Sequence, residues 1–269
     1  NPGDAILAES PSYVGAMGVF RSYQARVEHV AMDDDGMIPQ SLREHIANLR
    51  ALKVPIKFLY LIPNFQNPAG VTLSAARRLE ILDIAQAEGI LVVEDNPYGL
   101  LWFDRPPPHA IRSADESGVI YLGSFSKTFA PGLRVGWVVA PHGIREKLVL
   151  ASEAAILSPS SFSQMILAEY FESHDWKGQI DTFRGLYRER RDAMVEALAQ
   201  YAPEIPHTTP TGGFYLWLSL PEGLDSKEML PRAVKELVAY TPGTAFYANG
   251  DGRANLRLAF CYPEPSFIE

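Results

Sequence analysis

The sequence has one cysteine, Cys261, in 269 residues. That excludes an internal disulfide, and no histidines accompany the cysteine at metal-ligand spacing. Basic residues are also few: 24 Lys and Arg against 32 Asp and Glu leave a net charge of -8. That balance argues against the concentrated positive surface that nucleic acid requires. No apolar run approaches the roughly 20 residues needed to span a bilayer. The opening NPGDAILAES lacks the charged and apolar regions of a signal peptide. The lone thiol fits a reducing compartment, so a cytoplasmic location is the expectation. A starting methionine is missing as well. With first residues that read as the turn before a strand, and an end soon after another strand, this predicts a piece of a longer polypeptide.

What is present is ample material for a core. The chain is 47% hydrophobic, enough for one large core or two adjoining ones. Short apolar, β-branched runs predict strands over Ala5–Ala8, Arg26–Ala31, Lys57–Ile62, Ile90–Val93, Gly118–Leu122 and Val135–Ala140. Several are apolar throughout, as in strands covered on both faces. Helical stretches lie between them: Pro39 to Leu52, and Ser74 to Glu88 with Thr72 or Ser74 as N-cap and Gly89 past the end. This alternation predicts an α/β fold with a mostly parallel sheet and helices on both faces. After Pro141 the pattern becomes helical, over His142–Ile156, Ser160 to about Phe171, and about Ile180 to Tyr201. In the last, Ile180, Phe183, Tyr187, Met194, Leu198 and Tyr201 recur at helical spacing and read as core. Strands at Gly213–Leu220 and Ala254–Phe260 around a helical Ser226–Val238 complete a smaller α+β unit. The expected division is 1–150 and 151–269.

Ligands of open α/β sheets bind outside the carboxyl ends of strands, and three such ends carry polar clusters. In Tyr60-Leu-Ile-Pro-Asn-Phe-Gln-Asn-Pro-Ala-Gly70, Asn64, Gln66 and Asn67 sit around two prolines. Alone, this segment reads as an ordinary Pro/Asn turn. Ile90-Leu-Val-Val-Glu-Asp-Asn-Pro-Tyr-Gly99 runs from buried residues into two acids, with Tyr98 three past Asp95. An acid there can hold a cationic ring nitrogen, or can be a solvated loop carboxylate. The third, Gly123-Ser-Phe-Ser-Lys-Thr-Phe-Ala-Pro-Gly-Leu-Arg-Val-Gly-Trp137, crowds two hydroxyls, an amine and a guanidinium between apolar strands. Ser124 and Ser126 can donate to phosphate oxygens and Arg134 can bind them bidentately. Lys127 is then an amine nucleophile. The glycine spacing is wrong for a Walker loop.

SFSKTFAPGLRVGW resembles the lysine segment of class I/II aminotransferases, the fold-type I pyridoxal-phosphate (PLP) enzymes. Asn67-Pro-x-Gly70 and Asp95-x-x-Tyr98 precede it in that family's order, and the likeness runs from Pro2-Gly-Asp4 and Pro11-Ser-Tyr13 to Asn255-Leu-Arg-Leu258. The detail is most similar to the branch of 2-aminoadipate and broad-specificity aminotransferases. The resemblance implies a homodimer that transfers an amino group from an L-amino acid to a 2-oxo acid. It makes Lys127 the Schiff-base lysine and proton carrier, Asp95 the partner of the pyridine nitrogen, and Tyr98 and Asn67 the partners of the ring's phenolic oxygen. Ser124, Ser126 and Arg134 become phosphate contacts and Tyr13 a ring-stacking aromatic. Arg257 becomes the clamp on the substrate α-carboxylate, an arginine in an apolar strand that needs a partner. The family's glycine-rich phosphate turn and the tyrosine lent by a neighbouring subunit would fall before position 1. A PLP-dependent lyase on the same fold and the PLP-binding effector domain of a GntR/MocR-type transcription regulator carry the same motifs.

Overall fold

The computed structural model describes residues 1–268. Seven strands, β1 (Ala5–Ser10), β2 (Arg26–Asp33), β3 (Gly36–Met37), β4 (Ile56–Leu61), β5 (Leu91–Asp95), β6 (Val119–Ser124) and β7 (Gly136–Val139), form one sheet in the order β3-β2-β1-β4-β5-β6-β7. The five from β2 to β6 pair in parallel. Both edge strands run antiparallel, β3 against β2 and β7 against β6. The chain steps outward from β1 to β2 and then returns to place β4 on the other side of β1. The strand order therefore reverses between β1 and β4, where such sheets open a crevice at their carboxyl ends.

Alternating side chains of one strand feed two apolar layers. Leu7, Leu59, Leu61 and Val92 pack with Leu42, Ile46, Leu49, Ile81 and Leu82 of helices α2 (Pro39–Ala51) and α3 (Ala75–Ala87). Ile6, Ala8, Tyr60 and Ile62 face the opposite layer. There they meet Met17 and Phe20 of α1 (Val14–Ser22) and the flank of a long helix carrying Phe183 and Tyr187. Ser74 is the N-cap of α3, its hydroxyl accepting from the Arg77 N–H, and Gly89 follows the helix at φ +63°.

The helical stretch comprises α4 (His142–Ile156), α5 (Ser161–Ser173) and α6 (Trp176–Tyr201). Along α6, Ile180 is buried and Phe183, Tyr187, Met194 and Leu198 pack on apolar clusters. Tyr201, expected in that stripe, sits at the frayed last turn and is exposed. A second, antiparallel sheet has the order β8-β10-β9, from β8 (Tyr215–Ser219), β9 (Thr241–Pro242) and β10 (Asn255–Ala259). Helix α7 (Ser226–Lys235) precedes β9, and α8 (Pro265–Ile268) follows β10. No helix among the described residues is long and apolar enough to cross a membrane.

Candidate active site

The carboxyl ends of β1, β4, β5 and β6 and the loops that leave them carry the residues singled out from the sequence, apart from Arg257. The β4 loop turns back on itself at Gly70, whose φ is +71°. A side chain there would meet the Tyr215 carbonyl at 2.8 Å, so only glycine lets the turn press against β8. The contact brings Asn67 under β10. Arg257, in the middle of β10, donates from Nη1 to Asn67 Oδ1 at 2.8 Å and from Nη2 to Thr241 Oγ1 at 3.1 Å. Its guanidinium lies 4.0 Å from the Tyr215 ring centre and 5.0 Å from that of Phe246. The Nε is buried with no partner. Among the described residues Arg257 has no acid partner, and each bond it makes is to a neutral oxygen. Two hydrogen bonds and two aromatic rings fix the plane of this guanidinium.

Asp95 closes β5. Its Oδ2 accepts from the Tyr60 hydroxyl at 2.6 Å. Burial raises its carboxyl above the ordinary 3.8, and the Tyr60 bond opposes that rise. No cation pairs with it among the described residues. Tyr98 is buried, with its ring edge-on to Tyr215 at 6.1 Å. Burial pushes its phenol well above 10; Asp95 adds to the rise and Arg257 opposes it. Asn67, Arg257, Tyr215, Tyr98 and Asp95 thus form one continuous wall.

The β6 loop is different in character. Ser124 accepts from the Ser126 N–H at 3.1 Å. Lys127 makes no ion pair among the described residues, and its charge reaches Cys261 strongly enough to oppose the rise that burial imposes on that thiol. Arg134 is in the left-handed region at φ +56°, exposed, and donates only to the Pro131 carbonyl in its own turn. Tyr13 is partly exposed just past β1. None of these five touches the Asn67–Arg257 wall through a hydrogen bond. A groove of about 870 Å³ lies elsewhere, between Asp34, Arg105, His109 and Thr209, and holds none of the predicted site residues.

Tyr60, Tyr215 and Thr241 were not anticipated from the sequence. Tyr60 had a signal, because it alternates to the same face as Ile62 at the end of β4. Thr241 had none, since its place beside Arg257 depends on the pairing of β9 with β10.

The sheet is doubly wound, and Asp95, Lys127 and Arg257 stand without counter-charges among the described residues. Residues 1–264 match the model of aminotransferase class I and II, and the chain belongs to that family. It is 43% identical to aromatic-amino-acid aminotransferase 1 of Thermococcus litoralis, over all of this chain and 65% of that protein. Identity to the 2-aminoadipate transaminase of Thermus thermophilus is 38%, covering 96% of this chain and 65% of the relative. The chain thus spans slightly less than two thirds of both. An HTH-type transcriptional regulator of Bacillus subtilis, YisV, is 34% identical over 98% of this chain and 54% of its own length. The crystal structure of Pyrococcus horikoshii kynurenine aminotransferase superimposes with a TM-score of 0.96 at 41% identity, over all of this chain and 67% of that one.

Proposed function

We propose that the protein is a PLP-dependent aminotransferase that moves an amino group between an L-amino acid and a 2-oxo acid. The observation that carries this reading is the set of uncompensated charges among the described residues: half-buried Asp95 without a cation, half-buried Arg257 without an anion, and Lys127 between them in sequence with no acid partner. Charges withdrawn from water are costly unless a ligand pairs them. PLP and an amino acid carry the complementary groups: a protonatable ring nitrogen for Asp95, an aldehyde for Lys127, an α-carboxylate for Arg257. The residues fit the cofactor.

Bound there, PLP supplies a carbonyl that condenses with amines and a protonated ring that accepts the electrons released at the substrate Cα. Asp95 holds the ring nitrogen in its charged form, and Tyr60 keeps that carboxylate ionised and aimed. Asn67 and Tyr98 donate to the ring's phenolic oxygen; Ser124, Ser126 and Arg134 bind the phosphate; Tyr13 covers a ring face. Arg257 orients the amino acid through a bidentate bond to its carboxylate. Lys127, as the free amine, takes the proton from Cα and returns it. The reading includes a large domain over 1–150 and a smaller one over 151–269, a homodimer, and a cytoplasmic location.

The test is a panel of amino acids given to the PLP-loaded protein, with the conversion of PLP to pyridoxamine phosphate followed by absorbance. Conversion by some amino acids and none by Lys127→Ala is expected; full conversion by that variant sinks the assignment. The likeness to the regulator YisV favours a second reading, a PLP-sensing effector domain. Tight PLP uptake without any net conversion across the panel would support it instead.

A further inference from the structure

We infer that Glu9 and Gln66 form a positioning latch that fixes the spacing between Tyr13 and the Asn67 turn. The latch rests on the proposed function in one respect only: that Tyr13 and Asn67 hold the cofactor ring.

The last main-chain pair between β1 and β4 is Ala8 with Tyr60. Beyond it the two strands diverge into the loops that carry Tyr13 and Asn67, and no backbone ladder ties them. Side chains take over that task. Glu9 Oε2 accepts from the Ile62 N–H at 2.9 Å and from Gln66 Nε2 at 3.3 Å. The same Nε2 donates to the Pro11 carbonyl at 2.8 Å, and Gln66 Oε1 accepts from the Ala69 N–H at 2.8 Å. Three hydrogen bonds thus cross from residues 9–11 to residues 62–66, a fourth holds Gln66 within its own turn, and both side chains are 1% exposed. One end of the latch is two residues before Tyr13 and the other is next to Asn67. Gln66 spends its amide on both loops at once, so a shift of either loop breaks a bond buried away from water.

The main chain under the latch is fixed from a third strand. His29 of β2 contacts the Glu9 carbonyl through Nδ1 at 3.0 Å, while its Nε2 accepts from the Ala248 N–H at 2.8 Å. The titratable groups around the Glu9 carboxyl are Tyr60, Asp95 and His29; none is a cation holding it ionised. Burial pushes the Glu9 carboxyl up to about 8, with the Asp95 charge adding to the rise. At neutral pH the acid form therefore holds the latch. The negative charge behind the ring nitrogen is left to Asp95.

Hydrogen–deuterium exchange of the full chain without cofactor, and PLP affinity by fluorescence quenching, test the latch together. Glu9→Leu and Gln66→Leu should speed exchange in residues 11–14 and 64–70 by about tenfold or more and leave β8 and α6 unchanged. The same variants should weaken PLP binding by about tenfold. Glu9→Gln, which keeps an acceptor for Ile62 and Gln66, should stay near the parent in both. Unchanged exchange in the two leucine variants overturns the latch. Faster exchange throughout the chain does so as well, because it makes the pair general core. Loosened loops with unaltered PLP affinity overturn its link to the cofactor. If the parent itself takes up no PLP, the proposed function fails, and the exchange data still decide whether the latch exists.

Discussion

Tyr60 shows how much one hydroxyl can decide. Asp95 is a carboxylate that burial drives toward its neutral form, and the short bond from Tyr60 is what opposes that drive. Removing the donor leaves the acid less ionised and less able to hold a cation. Tyr60→Phe should weaken PLP binding by roughly 1.5–3 kcal/mol, the worth of a hydrogen bond to a charged group. Fluorescence quenching measures it, and affinity equal to the parent would remove Tyr60 from the site. Glu9 gives the complementary case in stability. Its folded value of about 8 lies above the ordinary 4.5, so between those limits the folded chain keeps a proton that the unfolded chain releases. This site's contribution is therefore fully present below about pH 4.5 and is lost as pH rises through 8. Glu9→Gln has no proton to lose. Its unfolding free energy relative to the parent should improve from pH 5 to pH 8 by on the order of a few kcal/mol. Urea denaturation at the two pH values decides; a constant difference would show that Glu9 is ionised throughout.

At the scale of elements, the strands and most helices were legible because their signals are local. Val, Ile and Leu runs bounded by turns locate β1, β2 and β4 to β7 within a residue or two, and Ser74 with Gly89 brackets α3. Helix α1 was not legible: Val14, Gly15, Gly18 and Val19 are poor helix formers, and the segment is held by burial of Met17 and Phe20. The antiparallel direction of β7 was equally hidden, since an apolar run carries no sense of direction. Inside α3 the sequence offers two adjacent arginines and no way to tell them apart. Arg77 pairs with Asp33 at the surface. Arg78 turns inward and places all five N–H bonds on oxygens of Leu73, Pro63, Asn64, Pro108 and His109. It braces α3, the β4 loop and the loop that carries Pro108 and His109. Asn64 carries the brace onward to Asn96, and Asn96 to Tyr121. Arg78→Met should therefore cost roughly 3–5 kcal/mol of stability, because the carbonyls and the Asn64 amide oxygen it satisfies are left without a donor. Arg77→Met should cost under about 1 kcal/mol, as a surface pair does. Equal losses in chemical denaturation would deny Arg78 its bracing role.

Taken over the whole molecule, the candidate site has two unequal sides. Asn67, Asp95, Tyr98 and Arg257 were singled out through the resemblance of their motifs, and the fold gathers Asn67, Tyr98 and Arg257 around Tyr215. Ser124, Ser126, Lys127 and Arg134 were singled out in the same way, and they lie on a more exposed flank. That flank is apolar. Trp137, Val138 and Val139 of β7 are exposed along a free sheet edge, and Leu148, Val149, Leu150 and Ile156 of α4 are exposed with them. An open edge strand without charges offers unpaired N–H and C=O groups to any other strand, and apolar patches of this kind drive association. The net charge of -8 opposes contact between copies in general. It does not reach this edge, where β7 itself carries no charged side chain. The 269-residue chain on its own should therefore self-associate through β7 and α4. Light scattering should report particles larger than a monomer at micromolar concentration, reduced by Val138→Lys, which puts a charge on the strand, and by Val149→Lys on the helix. Neither substitution touches the Asn67–Arg257 wall, so the far-UV circular dichroism and the unfolding midpoint should stay near the parent. A chain that remains monomeric, or lysine variants that associate as readily as the parent, would show that this apolar flank has no drive to be covered.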